Sequence, residues 1–441
     1  MSEPTYLLDR GLKRALELGA SEAEIGITYT ESRTVKSEGP YPKILSRFAS
    51  DVWVRVAVGK RVAIATATSF DWDTLERTIY SAVEIARRAE EDPHWEGLPD
   101  PRPATHGWMG YDEGVASLEL EQLAGLVKDL IEEAKSIDPR VKVGAAGGFS
   151  SIYRVYTYNT RGVKAEDKGT SMGLFLWLKS SDGGREGTGG ASIEARSMIY
   201  DTTPLIERAK RLALDSLKAE KLGQVITGNS LFRAEPLASL IEYLVVPALN
   251  AMNVLEGFSP LRGRIGEKVL GELTVIDDGS MPGGLATSLY DAEGVPRQRT
   301  LLVEKGVLKS YLHNSYTARR MGVPSTGNAS RGRGIVGVSS SNLVIKGGVR
   351  KEEDLIEDAS IVVDGSLLSV HTVNYITGNF SVVASNPYLV KSGELIPVRP
   401  VTVSGNLYSI ASTLEPAVHV KNTFSGIYTP DILFRGVTVS G

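Results

Sequence analysis

The chain has 441 residues, of which 42% are apolar, and its formal net charge is −4. That length exceeds one ordinary hydrophobic core, so at least two packed domains are expected. The complete absence of cysteine excludes disulfides, thiolate nucleophiles and cysteine-ligated metal sites. Because the charges are interspersed and slightly acidic overall, nucleic acid is a poor candidate for a partner.

A membrane location is not expected either. The most apolar helical stretch, Leu237 to Met252, is interrupted by Glu242, Pro247 and Asn250, and no window approaches the length that spans a bilayer. The N-terminus lacks a basic segment followed by an apolar one, so no secretory signal is visible. These features predict a cytoplasmic protein.

The first hundred residues predict a helix, three strands and a second helix. Apolar residues at helical spacing and alternating β-branched residues place these elements at 5–18, 25–29, 52–58, 62–67 and 71–89. The same order recurs from Ser117 onwards, at about 120–131, 141–143, 153–158, 172–178 and 204–219. The recurrence favours two copies of one α+β motif.

The pattern changes near Leu222, and the predicted domains are residues 1–222 and 223–441. Beyond this boundary strands dominate, and only two helices stand out, at about 236–253 and 316–321. Hairpin turns are predicted at Lys305-Gly306 and Ser392-Gly393, each between apolar flanks. The predicted fold class is α+β, with duplicated α+β motifs followed by a mostly antiparallel β domain that has few helices.

Two motif matches and one acidic pair do not indicate a site. Residues 169–173 fit G-x-S-x-G, but a nucleophile elbow needs a following helix, and the next residues predict a strand. Residues 332–337 fit G-x-G-x-x-G, yet they lead into a strand-like segment, which argues against a dinucleotide site. Asp277-Asp278-Gly279 is interpreted as a turn. The five histidines are scattered, with no pair at helical ligand spacing.

One group of residues is a candidate for lining a ligand-binding cleft. Small residues let a backbone approach a ligand closely, and asparagine and arginine supply directed donors. The group consists of His313, Thr326, Gly327, Asn328 and Arg331. Each member also has an ordinary structural interpretation, as a structured loop or as a hydrogen-bonded histidine.

Several segments together resemble the TldD/PmbA family, peptidases once labelled modulators of DNA gyrase. The resemblance covers nearly the whole chain. It is carried by Thr274-Val275-Ile276-Asp277-Asp278-Gly279, Asp291-Ala292-Glu293-Gly294-Val295-Pro296, Glu304-Lys305-Gly306-Val307-Leu308-Lys309-Ser310-Tyr311, Ser325-Thr326-Gly327-Asn328, Thr377-Gly378-Asn379-Phe380-Ser381 and Val401-Thr402-Val403-Ser404-Gly405-Asn406-Leu407.

The resemblance implies a subunit without the zinc motif. Catalytic subunits of that family carry His-Glu-x-x-x-His on a helix, with a cysteine as a third ligand, and the motif falls here at Ile241 to Val246. Glu242 persists, whereas Ile241 and Val246 occupy the histidine positions. This departure matches the PmbA/TldE-like branch and implies no catalytic residue and no metal in this chain. Glu242 is then expected to be a partly buried or solvated helix residue.

The function implied is that of the non-zinc subunit of a heterodimeric TldD/TldE metallopeptidase that acts on unfolded or processed peptides. Zinc is expected in a TldD-like partner, and a peptide is the expected substrate. Two alternatives stay open: a self-sufficient hydrolase without metal, and a non-enzymatic binding protein linked to gyrase control.

Overall fold

The computed structural model of the chain describes residues 4–38, 42–136, 138–332, 335–423 and 425–441. The predicted α+β class is confirmed, because helices and strands are mixed and the C-terminal half is rich in strands. Within the described ranges, no helix combines the length and the apolar character needed to cross a bilayer.

The N-terminal half contains the same order of elements twice: a helix, three strands and a helix. The first copy consists of α1 (Pro4–Glu17), β1 (Glu22–Glu38), β2 (Pro42–Val58), β3 (Arg61–Ala67) and α2 (Trp72–Arg88). A short helix, α3 (Glu113–Ala116), precedes the second copy. That copy consists of α4 (Leu120–Lys135), β4 (Val141–Asn159), β5 (Lys164–Asp182), β6 (Arg185–Ala195) and α5 (Thr203–Lys218).

The six strands form one antiparallel sheet in the order β3-β2-β1-β4-β5-β6. The two copies therefore meet where β1 pairs with β4, and β6 is an edge of the sheet. Helices α1 and α2 pack on the strands of the first copy, and α4 and α5 pack on the strands of the second. Leu174 and Leu176 of β5 point towards these helices. Phe175 and Trp177 face the opposite side, because successive strand residues alternate between faces.

The C-terminal half is built from short elements. Its strands are β7 (Ile226–Phe232), β8 (Val275–Asp278), β9 (Arg299–Glu304), β10 (Val307–Leu308), β11 (Ala329–Gly332), β12 (Ile335–Val338), β13 (Leu343–Ile345), β14 (Ile361–Val363), β15 (Leu367–Leu368), β16 (Asn379–Ala384), β17 (Tyr388–Lys391), β18 (Glu394–Pro397), β19 (Val401–Asn406), β20 (Glu415–Pro416), β21 (Lys421–Asn422), β22 (Ile427–Thr429) and β23 (Ile432–Ser440). Its helices are α6 (Ala234–Leu240), α7 (Val246–Leu249), α8 (Ala251–Glu256), α9 (Ser315–Arg320), α10 (Glu352–Asp358) and α11 (Leu407–Ile410). A π-helical turn spans Ile241–Val245, and short 3-10 turns span Val370–Thr372 and Ala411–Thr413.

These strands form three sheets. A nine-stranded sheet has the order β15-β16-β19-β23-β7-β14-β17-β18, with β20 paired to β23. A six-stranded sheet has the order β10-β9-β8-β13-β22-β21, and β11 pairs with β12. Two of the described pairings, β13 with β22 and β14 with β7, are parallel, and the others are antiparallel. The mostly antiparallel character predicted for this half is confirmed.

Local turn chemistry explains the two predicted hairpins, which are both present. Lys305 and Gly306 separate β9 from β10, and Ser392 and Gly393 separate β17 from β18. All four residues have positive φ, as a two-residue turn between twisted antiparallel strands requires.

The two motif matches lie in β structure. Residues 169–173 lie within β5, so no nucleophile elbow is present there. Residues 333 and 334 of the G-x-G-x-x-G match lie outside the described residues. Strands β11 and β12 precede and follow them, in place of the strand and helix of a dinucleotide site.

The single helix predicted at about 236–253 is wrong, because the structure divides this segment. Helix α6 passes into the π turn and then into α7, which contains Pro247 and therefore lacks one backbone donor. The chain leaves the helical conformation at Asn250 (ψ 117°), whose side chain accepts a hydrogen bond from the N–H of Met252 and caps α8.

A buried ion network joins the two halves. Arg55 on β2 donates to Glu24 on β1 and to Glu293, with both N···O distances 2.9 Å. Arg331 also pairs with Glu24, and Glu293 accepts a hydrogen bond from the N–H of Ser315 at 2.9 Å. Burial opposes the charged form of Arg55, but the two glutamates outweigh this effect and raise its pKa.

The predicted domain boundary at residue 222 falls between α5 and β7. That the two halves of the chain are separate domains stays a prediction.

We expect the substitution Arg55→Met to lower the free energy of unfolding by about 3–5 kcal/mol. It leaves Glu24 and Glu293 buried without their shared cation, which is costly in a dry interior. Equilibrium denaturation measures the effect. The matched control is Arg61→Met, because Arg61 pairs with Glu91 at the surface (3.3 Å), where an ion pair contributes only about 0–1 kcal/mol. Equal losses in both variants would contradict the role of the buried network.

Candidate functional site

The segment that resembles the zinc motif lies on the divided helix, at its π turn. The N–H of Val246 donates to the carbonyl oxygen of Ile241, five residues earlier. In an α-helix, residues five apart are separated by about 140° around the axis. The wider turn reduces this angle, so positions 241 and 246 come closer to one face. Single π turns of this kind occur frequently at functional sites.

The side chains at these positions do not fit zinc. Ile241 is 3% exposed and belongs to the main apolar core of the C-terminal half, and Val246 packs against that core. Neither side chain has a lone pair to offer a metal. Among the described residues, no three His, Asp or Glu side chains are grouped as metal ligands. That this chain holds no zinc nevertheless stays a prediction.

Glu242 is the acidic residue of the π turn and is partly exposed. Its carboxylate has no hydrogen-bond or ion-pair partner in the part of the chain that the structure describes. Burial alone raises its pKa above the usual value. As expected, Glu242 is a partly buried residue of a helical segment. Any further role of Glu242 stays a prediction.

The structure brings four of the five candidate cleft residues together, because His313, before α9, contacts the buried loop after α9 that contains Thr326, Gly327 and Asn328. The N–H of His313 donates to Oγ1 of Thr326 at 2.7 Å, and the N–H of Asn328 donates to the carbonyl of His313 at 3.1 Å. His313 is 2% exposed, and its Nδ1 lies 3.2 Å from Oγ1 of Thr317. Burial lowers the pKa of His313 to about 4, so its imidazole is neutral at physiological pH.

Asp277 holds this loop in place, a role that the sequence interpretation as a turn missed. Its Oδ2 accepts hydrogen bonds from Nδ2 of Asn328 at 2.8 Å and from the hydroxyl of Ser341 at 2.7 Å. Burial raises the pKa of Asp277, although these hydrogen bonds oppose the shift. Gly327 has φ of 70°, and a Cβ there would lie 2.4 Å from the carbonyl oxygen of Pro296. Glycine is therefore required.

Arg331, the fifth candidate, lies apart from this loop in the ion network. It pairs with Glu24, donates to the carbonyl of Ala292 and stacks over Trp53, 4.0 Å from the ring centroid. The five residues therefore form parts of the internal framework, and direct contact of any of them with a peptide stays a prediction.

An open groove of about 690 Å³ lies beside α6 and was not predicted from the sequence. One wall comes from β4, β5 and β6 of the N-terminal sheet, including Phe149, Phe175 and Trp177. The opposite wall includes Glu235 and Ser239 of α6. Arg208 of α5, residues 365–367 and residues 422–423 complete the lining.

Comparisons with known proteins agree with this architecture. Two family models match this chain. The PmbA/TldA metallopeptidase central domain matches residues 113–217, and the PmbA/TldA metallopeptidase C-terminal domain matches residues 227–441. Protein MJ0231 of Methanocaldococcus jannaschii is 31% identical over 396 residues, which cover 88% of this chain and 89% of that protein. Metalloprotease PmbA of Escherichia coli O157:H7 is 25% identical over 447 residues, covering 99% and 96%.

A solved structure has the same fold. TldE from Thermococcus kodakarensis superposes with a TM-score of 0.90 at 23% identity, over 99% of this chain and 100% of that one. The fold is α+β, and the helix that carries residues 241–246, called the motif helix below, has Ile241 and Val246 where the zinc motif would have histidines. The chain belongs to the PmbA/TldD family.

Acid should destabilise the folded chain in part through His313. The unfolded imidazole takes up a proton near its ordinary pKa of 6.5, but the folded one does so only near 4. The stability due to neutral His313 is therefore present above pH 6.5 and is lost as the pH falls towards 4. We expect the stability difference between wild type and His313→Gln to shrink by roughly 3 kcal/mol over this range.

Denaturation at a series of pH values measures that difference. Other buried groups, including Asp291, titrate in both proteins, so they cancel in the comparison. His371→Gln, which changes an exposed histidine, is the matched control and should follow the wild-type pH profile. A difference that does not vary with pH would show that His313 is not the titrating group.

Restoring histidine at both motif positions should not create a zinc site. We expect Ile241→His with Val246→His to lower stability by about 1–3 kcal/mol for each imidazole left unpaired. The π turn brings the two positions closer, but the chain has no cysteine to act as a third ligand. Metal analysis and thermal unfolding are the measurements, with Ile241→Val as an apolar control that costs about 0.5–1.5 kcal/mol. Stoichiometric zinc in the double variant would contradict this expectation.

Proposed function

We propose that this chain is the non-zinc subunit of a two-chain metallopeptidase and pairs with a zinc-bearing homologue. The two chains would enclose a chamber for unfolded or processed peptides. The zinc ligands and the general base would belong to the partner, and this chain would supply a wall of the chamber. The cytoplasm is the location that we propose for the complex.

The observation that carries the proposal is the altered motif helix. The π turn and Glu242 are present, but Ile241 and Val246 stand where a zinc site needs nitrogen donors. Relatives of this chain include proteins named metalloproteases, among them PmbA. A homologue that keeps the fold but lacks the ligands is best explained as a binding partner of one that has them.

An exposed apolar surface supports the expectation of a partner. Strand β3 pairs only with residues 52–58 of β2, so residues 42–51 of β2 lie at an edge of the sheet, and there Ile44, Leu45 and Phe48 are 53%, 58% and 62% exposed. Phe48 stacks on Tyr29, with ring centroids 5.9 Å apart. Such exposed apolar groups favour burial in an interface, and a permanent complex typically buries more than ~2,000 Å².

Co-expression with a homologue from the same genome that carries His-Glu-x-x-x-His tests the proposal. We expect the two chains to co-elute in size exclusion, with zinc in the complex and less than stoichiometric zinc in this chain alone. Peptide cleavage should require both chains and should be lost on chelation. Phe48→Asp, which puts a charge on the exposed apolar end of β2, should weaken co-elution.

The matched pair of variants assigns the chemistry. Glu242→Gln in this chain should leave cleavage by the complex nearly unchanged, whereas the same change in the partner's motif should abolish it. If Glu242→Gln silences the complex, this chain takes part in catalysis and the proposed division of roles is wrong. Cleavage by this chain alone that resists chelators would favour a self-sufficient hydrolase. Capture of DNA or a DNA enzyme, without a zinc-bearing homologue, would favour a binding protein.

A further inference from the structure

The groove beside α6 lies between the edges of three sheets. Residues 190–194 belong to β6, the last strand of the N-terminal sheet. Leu367 begins β15, an edge of the nine-stranded sheet, and Asn422 ends β21, an edge of the six-stranded sheet. Within the described part of the chain, the backbone of 190–194 makes hydrogen bonds only with β5. The outer side of β6 therefore offers free N–H and C=O groups to an added strand.

Aromatic rings cover the sheet face that borders this edge. Phe149 lies opposite Gly173, and Phe175 lies opposite Gly147, in the register of β4 and β5. A Cβ at Gly173 would lie 2.4 Å from the Phe149 ring, and one at Gly147 would lie 2.5 Å from the Phe175 ring. The two glycines thus let the rings lie across the sheet. With Trp177, which is 51% exposed, they form an apolar surface for side chains of an extended ligand.

Glu194 adds a negative charge to the groove, which the nearby positive charge of Arg196 partly offsets. Its half-buried carboxylate has no hydrogen-bond or ion-pair partner in the described ranges. Arg196, two residues along, is buried and donates instead to backbone carbonyls, including that of Thr170 at 2.9 Å. Across the groove, Glu235 is already engaged by Arg208 at 3.4 Å. Glu194 is therefore the carboxylate in the groove that a bound cation would satisfy.

We propose that this groove binds an extended peptide as an added strand along β6, with a cationic group of the peptide at Glu194. The cation is either a lysine or arginine side chain or a free amino terminus, because each offers N–H donors and a positive charge. The inference rests on the proposed function in taking a peptide as the ligand. It goes further by assigning the binding edge and the charge preference to this subunit rather than to its partner.

Fluorescence anisotropy with the purified full chain tests the charge preference. The probes are three C-terminally labelled octapeptides of one apolar sequence: one acetylated with a central lysine, one acetylated with norleucine there, and one with norleucine and a free amino terminus. We expect at least one charged probe to bind about tenfold more tightly than the neutral probe. The charged probe that does so identifies the source of the cation.

Two variants test whether Glu194 causes the preference for a charged peptide. Glu194→Gln should bring the charged probe to the affinity of the neutral one, because the side chain keeps its shape but loses its charge. Glu186→Gln makes the same change on the exposed far end of β6, outside the groove, and should keep the preference. Equal binding of all three probes to the wild-type chain would overturn the charge assignment even if a variant failed to fold.

Alternate N-methylation of the charged probe tests the added strand. Methyl groups on the amides of one edge should abolish binding, and methyl groups on the other edge should leave it intact, because only one edge faces β6. Binding that neither pattern affects would overturn strand addition.

These peptide-binding results are independent of the co-expression test of pairing with a zinc-bearing homologue. If the two-chain complex forms and cleaves but Glu194→Gln changes nothing, this inference alone fails. If the chain binds the charged probe but never pairs, the proposed function fails instead.

Discussion

The buried pairing of Arg55 with Glu24 and Glu293 is the constraint on which the rest of the structure depends. Charges removed from water are tolerated only when each has a partner at close range, and here the partners come from opposite halves of the chain. Asp291, two residues from Glu293, extends the arrangement by accepting hydrogen bonds from the N–H groups of Glu293, Val295 and Ala329. Because these contacts hold the N-terminal sheet against the C-terminal half, they also set the position of the groove between the sheet edges.

The motif helix contains a π turn at positions whose side chains offer no nitrogen donor to a metal. A π turn replaces regular helical hydrogen bonds with a less common pattern and persists only when its surroundings favour it. Here the surroundings are apolar: Ile241, Leu244 and Val245 pack into the main core of the C-terminal half. Packing of aliphatic side chains therefore stabilises the π turn at the positions that align with the zinc motif.

The groove and the motif helix present side chains of different chemistry. The helix contributes the carboxylate of Glu242, whereas the groove combines the edge of β6, aromatic rings and the carboxylate of Glu194; neither carboxylate has a hydrogen-bond or ion-pair partner among the described residues. In the two-chain arrangement that we propose, this chain would contribute recognition of an extended backbone, and the zinc-bearing chain would contribute the reaction. Main-chain recognition is largely independent of sequence, which suits a peptidase that acts on varied, unfolded substrates.

The sequence by itself determined the features that depend on neighbouring residues. Alternating β-branched residues and the pairs Lys305-Gly306 and Ser392-Gly393 specified strands and turns, and the recurring order of elements indicated the duplication in the N-terminal half. Comparison of residues 241–246 with a family motif located the site helix. Only the tertiary structure decided what those residues touch. Asp277 bonds to Asn328, 51 positions away, and Arg55 to Glu293, 238 positions away. Such contacts leave no local periodicity, because their partners meet only when the sheets pack. The π turn and the groove between the sheet edges were hidden from the sequence for the same reason.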